Sequence, residues 1–353
     1  MIKLTTSILF LLFILGVIFK SGLSQEKGSI IQGYIFDRSS GEPLENVNVY
    51  IANTTWGSST DKDGYYIIRQ IPHGTHELVV SSIGYAYETK EINIKENIKL
   101  DLHFKLNPVI YETETTTVEG SIPTEWLEDR DFFEVYFLGS TDFAKDCHIE
   151  NSEVLDFRRP SKSIFQASAL KPLVITNGAL GYRLDCILIS FTFNTSSNTY
   201  SWSVKPKFTE LEPKDNEEMA GWIQNRSEAF EGSVYHFLNS FCSKSLPEEG
   251  FDIYKVAAAG QKVMRADWHT VYVDYDEYIE WEDYYKNCSL HFENYLHVVY
   301  HKNDVSWIGL NYTSISLDEY GYPYEDNPYM IFGEWAKQGI ADLLPKNFTR
   351  KRK

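Results

Sequence analysis

The chain holds only four cysteines in 353 residues, and no two of them stand in a CxxC pair. Paired spacing is what brings thiolates onto a zinc ion or into a redox couple, so the cysteine pattern encodes neither centre. Nine histidines are present, yet none has a glutamate three residues on. The HxxE pair, with which an imidazole and a carboxylate converge on a catalytic zinc, is therefore missing. Basic charge is scarce as well: Lys and Arg number 33 against 50 Asp and Glu, a net charge of −17. A surface of that sign repels phosphate backbones and anionic lipid, which argues against nucleic acid as partner. Beyond residue 24 no apolar run is long enough to cross a bilayer.

The start is the exception. In MIKLTTSILFLLFILGVIFKSGLS, Lys3 precedes an apolar run from Ile8 to Phe19, and the small residues Gly22 and Ser24 follow. This is the layout of a secretory signal peptide over residues 1–24. A transmembrane anchor is the alternative, but the run falls short of the about 20 apolar residues a spanning helix needs. No cysteine follows the cut, so no thiol is offered there for lipid attachment. The leader carries Lys3 and Lys20 but no acid, so cleavage makes the mature chain more acidic still. In an exported chain Cys147, Cys186, Cys242 and Cys288 can form two disulfides in any of three pairings, or remain buried thiols. Tyrosine (24) and phenylalanine (21) are abundant, which suits a strand-rich fold.

From Ser29 to Leu106, short β-branched and aromatic runs alternate with the turn sequences SSGEP, DKDG, PHG and SIGY. That spacing predicts an all-β sandwich over residues 25–107. Val47, Val49 and Ile51 alternate with Asn46, Asn48 and Tyr50, so one face of that strand turns inward. The run STDKDGYY could be taken for a calcium loop. With Gly64 sixth, however, the first position is Ser59 and the twelfth Gln70, where an EF-hand needs acidic ligands. A hairpin turn explains it instead: Asp63-Gly64 supplies positive φ and Asp61 bonds its own backbone.

The segments GYIFDRSSGEPLENVNVYI, GSSTDKDGYYIIRQIPHGTHELVVSSIGY and LDLHFKL resemble the carboxypeptidase regulatory-like domain, a transthyretin-like sandwich frequent in exported proteins of Bacteroidota. The resemblance implies export and a spacer or docking role, and it implies no peptidase activity. HVVYH, His297 to His301, has the spacing of a zinc-binding helix but carries Val298 where a general base would sit. Its flanks, LHVVYHKNDVSWIGLNY, read as a hairpin, on which His297, Val299 and His301 would share a face.

Residues 108–124 are polar and threonine-rich and read as a linker or an added edge strand. Residues 125–345 read as a mixed α+β domain, followed by a short basic tail over 346–353 whose last residues are expected to fray. Strand runs such as KPLVITN and YRLDCILISFTF stand beside one helical section, NEEMAGWIQNRSEAFEGSVYHFLNSFCSK. Within it Ser233 is placed to cap a second helix, and Val234, Phe237, Leu238 and Phe241 form its buried stripe, with His236 off that stripe. The pieces FLGSTDFAKDC, LVITNGALGYRLDCILISF, RSEAFEGSVYHFL, GFDIYKV and GEWAKQGIADLLP are similar to a region that often follows the regulatory-like domain in Bacteroidota proteins. That resemblance brings no activity with it.

Arg226, Ser233 and His236 are the candidate catalytic residues if the protein is a hydrolase, since a serine and a histidine at i, i+3 can meet. No GxSxG surrounds Ser233 and no orienting acid is evident, so capping for Ser233, a hydrogen bond for His236, and pairing of Arg226 with Glu228 or Glu231 are the simpler roles. YVDYDEYIEWEDYYKN interleaves rings with acids. It suits either an amphipathic edge or a stacking face for sugar or peptide around Tyr278 and Trp281. Six N-x-S/T matches, from Asn53 to Asn347, are chance matches if the chain is bacterial. The expectation is an exported, non-enzymatic interaction or assembly module of the cell envelope, periplasmic or at the outer membrane or cell surface. It needs no cofactor, and its partner is an envelope protein or a surface glycan. A hydrolase around His236 and a carbohydrate- or peptide-binding module are the alternatives.

Overall fold

The computed structural model describes residues 28–95, 97–109, 123–256, 271–272, 278–282, 287–318 and 320–350. The expected leader, linker residues 110–122, parts of the aromatic and acidic run, and the last three residues lie outside the described residues.

The first unit is a sandwich of two sheets. One has the order β4 (Tyr65–Ile71), β1 (Ser29–Asp37), β7 (Lys99–Asp101), with β8 (Phe104–Leu106) also on β1; the other has the order β3 (Gly57–Ser59), β2 (Asn48–Ile51), β5 (Gly74–Ser81), β6 (Glu88–Ile94). Ile31, Ile35, Val49, Leu78 and Val80 are wholly buried between them. The DKDG run is a turn: Gly64 sits at φ +76°, and Asp61 Oδ1 accepts from the amides of Asp63 (3.0 Å) and Tyr65 (2.9 Å). A Cβ on Gly64 would come within 2.6 Å of the Ile35 carbonyl oxygen, so the turn requires glycine for space as well as for φ.

The rest of the chain builds two further cores. Beneath α1 (Thr124–Leu138) lies a six-stranded sheet: β10 (Leu155–Ser161), β11 (Ile164–Ala169), β13 (Tyr182–Asn194), β12 (Leu173–Asn177) and β9 (Cys147–Ile149), with β14 (Thr199–Glu210) on the other edge of β13. Then come α2 (Asn216–Phe230) and α3 (Val234–Cys242). α3 covers the last core, in which β16 (Val271–Tyr272), β15 (Phe251–Val256), β19 (Tyr295–Tyr300), β20 (Asp304–Leu310) and β22 (Tyr329–Gly333) form one sheet. β17 (Ile279–Glu282), β18 (Asn287–Leu290) and β21 (Ile315–Leu317) form a second. Among the described residues three α-helices stand against β9 to β22, so the region is mostly sheet and not clearly the expected mixed α+β domain. α1 is the unforeseen helix. Its rings favour strands locally, and its inner face interrupts Phe133 and Phe137 with Asp129, which is buried only because Arg159 reaches it.

Cys242 and Cys288 form a disulfide that ties α3 to β18, with Cα atoms 5.9 Å apart. Cys147 and Cys186 are buried free thiols, so the possibility of two disulfides reduces to one.

The sandwich is docked rather than tethered. The face of β2 opposite Val49 carries Tyr50, which is 1% exposed because it packs with Ala52 and Val79 against Ile187 of β13. Tyr50 Oη donates to the Lys205 carbonyl (2.8 Å). The C-terminal residues join the same junction: the Lys346 amide donates to Asn53 O (2.7 Å) and Asn347 pairs with Thr55. Arg350 Nη2 donates to Glu249 Oε2 (3.1 Å), which corrects the expectation of a tail fraying from that residue. The reason is geometric, since residues 346–350 lie in the crease between cores, where each of these groups finds a partner.

Candidate functional site

A cleft of about 820 Å³ opens where the three cores meet. β14 contributes Tyr200 and Trp202, α3 and its cap contribute Tyr235, His236 and Ser233, and the tyrosine-rich run from Tyr320 to Tyr329 forms the opposite wall. Tyr235 and Tyr322 stack at 4.1 Å, and Tyr322 Oη donates to the Leu344 carbonyl (2.9 Å). Burial pushes the Tyr235 phenol up to about 12, and Tyr329 and Tyr322 rise well above the ordinary value for the same reason. All three therefore stay neutral at physiological pH. Below it Asp318 Oδ1 accepts from the amides of Tyr320 and Tyr322 (both 2.9 Å), and Lys346 Nζ reaches Asp318 Oδ2 (2.7 Å).

Of the residues that would be candidates in a hydrolase, Ser233 and His236 reach the cleft but are not joined as nucleophile and base. Ser233 Oγ caps α3 by accepting from the His236 amide (3.0 Å). The His236 ring accepts at Nδ1 from the Gly232 amide (3.1 Å), which leaves Nε2 as the donor to Glu249 Oε2 (3.2 Å). The ring is packed by Phe230, Phe251 and Tyr300, and burial lowers its pKa to about 4 against the opposing pull of Glu249. Arg226 is elsewhere. Its Nε donates to Leu180 O (2.7 Å), its Nη2 to Gly181 O (3.2 Å) and its Nη1 to Glu210 (3.1 Å), while its guanidinium lies 4.0 Å over Tyr182. Its carboxylate partner is thus Glu210, not Glu228 or Glu231: the helix turns Arg226 toward the β12–β13 turn.

These contacts explain the run RSEAFEGSVYHFL. Gly232, at φ +74°, ends α2, and a Cβ there would meet the Tyr300 ring at 2.7 Å. Its carbonyl accepts from Trp335 Nε1 (2.6 Å). Gly232, Ser233 and His236 together lock the break between the two helices, while Arg226 ties α2 to the β12–β13 turn.

Tyr278 is 8% exposed and packs near His291 and Phe292, so it is a core ring and offers no stacking face. Trp281 lies on β17, and its side chain is outside the described residues. His297 stacks on Trp307 at 5.2 Å, whereas His301 falls in the β19–β20 turn at φ +46° and does not extend the strand face. Among the described residues no cluster of three or more His, Cys, Asp or Glu could hold a metal. The cleft rings Tyr200, Trp202, Tyr322 and Tyr324 went unnoticed in the sequence. TYSWSV and YGYPYEDNPY, where rings alternate with small polar residues, are the signal that could have found them.

Residues 31–118 match the CarboxypepD_reg-like domain family. Among solved structures the chain is similar to a type II cohesin–X-dockerin complex from Acetivibrio cellulolyticus, at 23% identity over 33% of this chain and 78% of that one (TM-score 0.22). It is similar to Klebsiella pneumoniae 5-hydroxyisourate hydrolase at 21% identity over 23% of this chain and 91% of that one (TM-score 0.20). It is also similar to 3-chlorocatechol 1,2-dioxygenase from Rhodococcus opacus 1CP at 14% identity over 25% and 63% (TM-score 0.19). Likenesses this slight carry no weight in assigning an activity. No curated protein matches the chain.

Proposed function

We propose that the protein is an exported, non-enzymatic interaction module of the bacterial cell envelope, in which the regulatory-like sandwich and the two following cores act as one ligand-receiving body. The observation that carries this reading is the cleft of about 820 Å³ at the three-way junction, a size typical of pockets that receive small ligands. Its walls are rings and hydroxyls pinned by the chain's own hydrogen bonds, which favours binding through low ordering cost. The Ser233 and His236 side chains that a hydrolase would use are engaged in helix capping and in the Glu249 contact. Export accords with the leader sequence and with a disulfide, which persists in oxidising compartments.

The test is affinity capture from cell-envelope extract with tagged residues 25–353. One retained envelope component, protein or glycan, is the expected result. Turnover of a peptide or glycan by the same preparation, falling sharply in Ser233→Ala, would overturn the reading. That substitution costs only about 1 kcal/mol as a lost cap, so the fold should survive it.

A further inference from the structure

We infer that the cleft binds a neutral oligosaccharide, an assignment that rests on the binding-module reading and gives its ligand a chemistry. The first argument is charge. Among the described lining residues the fixed cations are Lys205, Lys346 and Arg350. Each already faces a carboxylate of this chain: Lys205 meets Glu77 at 2.6 Å, Lys346 meets Asp318 at 2.7 Å, and Arg350 meets Glu249 at 3.1 Å. An anionic ligand would have to break one of these pairs, and it would enter against the exposed Asp326 on the rim and the overall charge of −17.

The second argument concerns the remaining carboxylates. Glu325 accepts from the Ser316 amide (2.9 and 3.1 Å) and Asp342 from the Gly339 amide (2.9 Å), so both are tied to backbone donors. A cationic ligand is therefore not what the lining is built around. Apart from Asp326 on the rim, what the cleft presents beyond these is neutral: the hydroxyls of Ser201 and Ser203 and the amides of Asn198, Asn327 and Gln338. Groups that both donate and accept match a ligand whose polar groups are hydroxyls.

The third argument is the rings. Tyr322, 9% exposed and stacked on Tyr235, and Tyr200, packed on Tyr136 and Phe193 with its hydroxyl bonded to the Ala336 carbonyl (3.0 Å), shape the wall and are not themselves stacking faces. Tyr324 stands on the rim, 39% exposed. An exposed ring on the rim of a cleft lined by side-chain hydroxyls and amides suits a ligand with apolar C–H faces and equatorial hydroxyls, the two surfaces of a sugar ring. An extended peptide read by its backbone along the β14 edge is the competing ligand, and the titration below separates the two.

The experiment is isothermal titration of residues 25–353 with neutral cello-, xylo-, manno- and chito-oligosaccharides, with acidic oligogalacturonides and an unstructured peptide in parallel. Product chromatography is run on each mixture. Expected is saturable binding of at least one neutral oligosaccharide, weakened about tenfold by Tyr324→Ala, the loss of one stacking ring. Tyr34→Ala, an exposed ring on the sandwich, should leave the affinity unchanged. Binding confined to the acidic sugar or the peptide, binding of none of the probes, or neutral-sugar binding indifferent to Tyr324→Ala overturns the inference. Cleavage of a bound neutral sugar would sink the non-enzymatic reading and leave the ligand class standing. Capture of an envelope protein with no sugar bound would do the reverse.

Discussion

The two cores that follow the sandwich close by different means. Under α1, β13 and β14 pair from Tyr182 with Glu210 to Asn194 with Thr199, and the space above them is filled by rings. Phe133 stacks on Phe137 at 4.7 Å and meets Phe191 edge-on at 4.8 Å. Its two cysteines stay as thiols, and burial holds the Cys147 thiol up at about 12, so it is inert. Under α3 the sheets are smaller, with three residues in β21 and four in β17 and β18, and a disulfide joins helix to sheet. The difference teaches that long pairing and ring packing suffice where apolar burial is continuous. Where strands are short, restricting the unfolded chain supplies what burial does not.

The largest break in that comparison should come from Phe133→Ala, which empties a wholly buried ring site. Loss of a buried Phe among packed rings costs about 4–5 kcal/mol, because the neighbours are held by the sheet and collapse only in part. Amide hydrogen exchange should quicken across β13 and β14 and stay slow in β19 and β20. Uniform quickening would mean that the two cores unfold as one. The converse experiment is Cys242→Ser with Cys288→Ser. The bridge closes a 46-residue separation, worth about 4 kcal/mol on the chain-entropy account. Exchange should then quicken in β19 and β20 while β13 and β14 keep their protection; an unchanged β19 would show the bridge to be superfluous.

The same contrast explains what could be read in the sequence. In the sandwich the determinants are local: Asp61 and Gly64 fix a turn within a few residues, and the alternation of Val47, Val49 and Ile51 fixes a face. α3 was legible too, since Ser233 and the stripe of Val234, Phe237, Leu238 and Phe241 lie within one short segment. α1 was not, because the partner that lets Asp129 be buried is Arg159, 30 residues on. The burial of Tyr50 depends on Ile187, and the cleft on rings from β14 and from the run after Tyr320, far apart in the chain. No periodicity connects such positions, so their meeting is visible only once the cores are docked.

A smaller effect sharpens the helix junction. His236 is kept neutral in the fold, with its pKa lowered to about 4 from 6.5, chiefly by burial and secondarily by Arg350 and His301, against Glu249. The stability it contributes is full above pH 6.5 and is lost as pH falls through about 4, up to roughly 3 kcal/mol. Asp342 works in the opposite sense: burial raises its pKa to about 6 from 3.8, so its contribution is full below pH 3.8 and is lost as pH rises through about 6. Thermal midpoints between pH 4 and 7 should therefore flatten in His236→Gln and fall more steeply on acidification in Asp342→Asn. If the His236→Gln curve overlays that of the parent protein, the ring is not the group that titrates.

The smallest effect tests what holds the sandwich to the second region. Lys205 and Glu77 cross that boundary at 2.6 Å, with side chains 21% and 36% exposed. Partly exposed pairs of this kind are worth under about 1 kcal/mol, because water screens them and both side chains lose freedom. Tyr50, Ala52, Val79 and Ile187 are all buried, whereas both members of the ion pair stay partly exposed, so the apolar contact contributes more to docking. Lys205→Ala should thus shift the urea midpoint only slightly, and exchange protection in β5 should persist at high salt. Release of β5 by either treatment would mean that charge, not burial, docks the first unit and keeps the cleft's third wall in place.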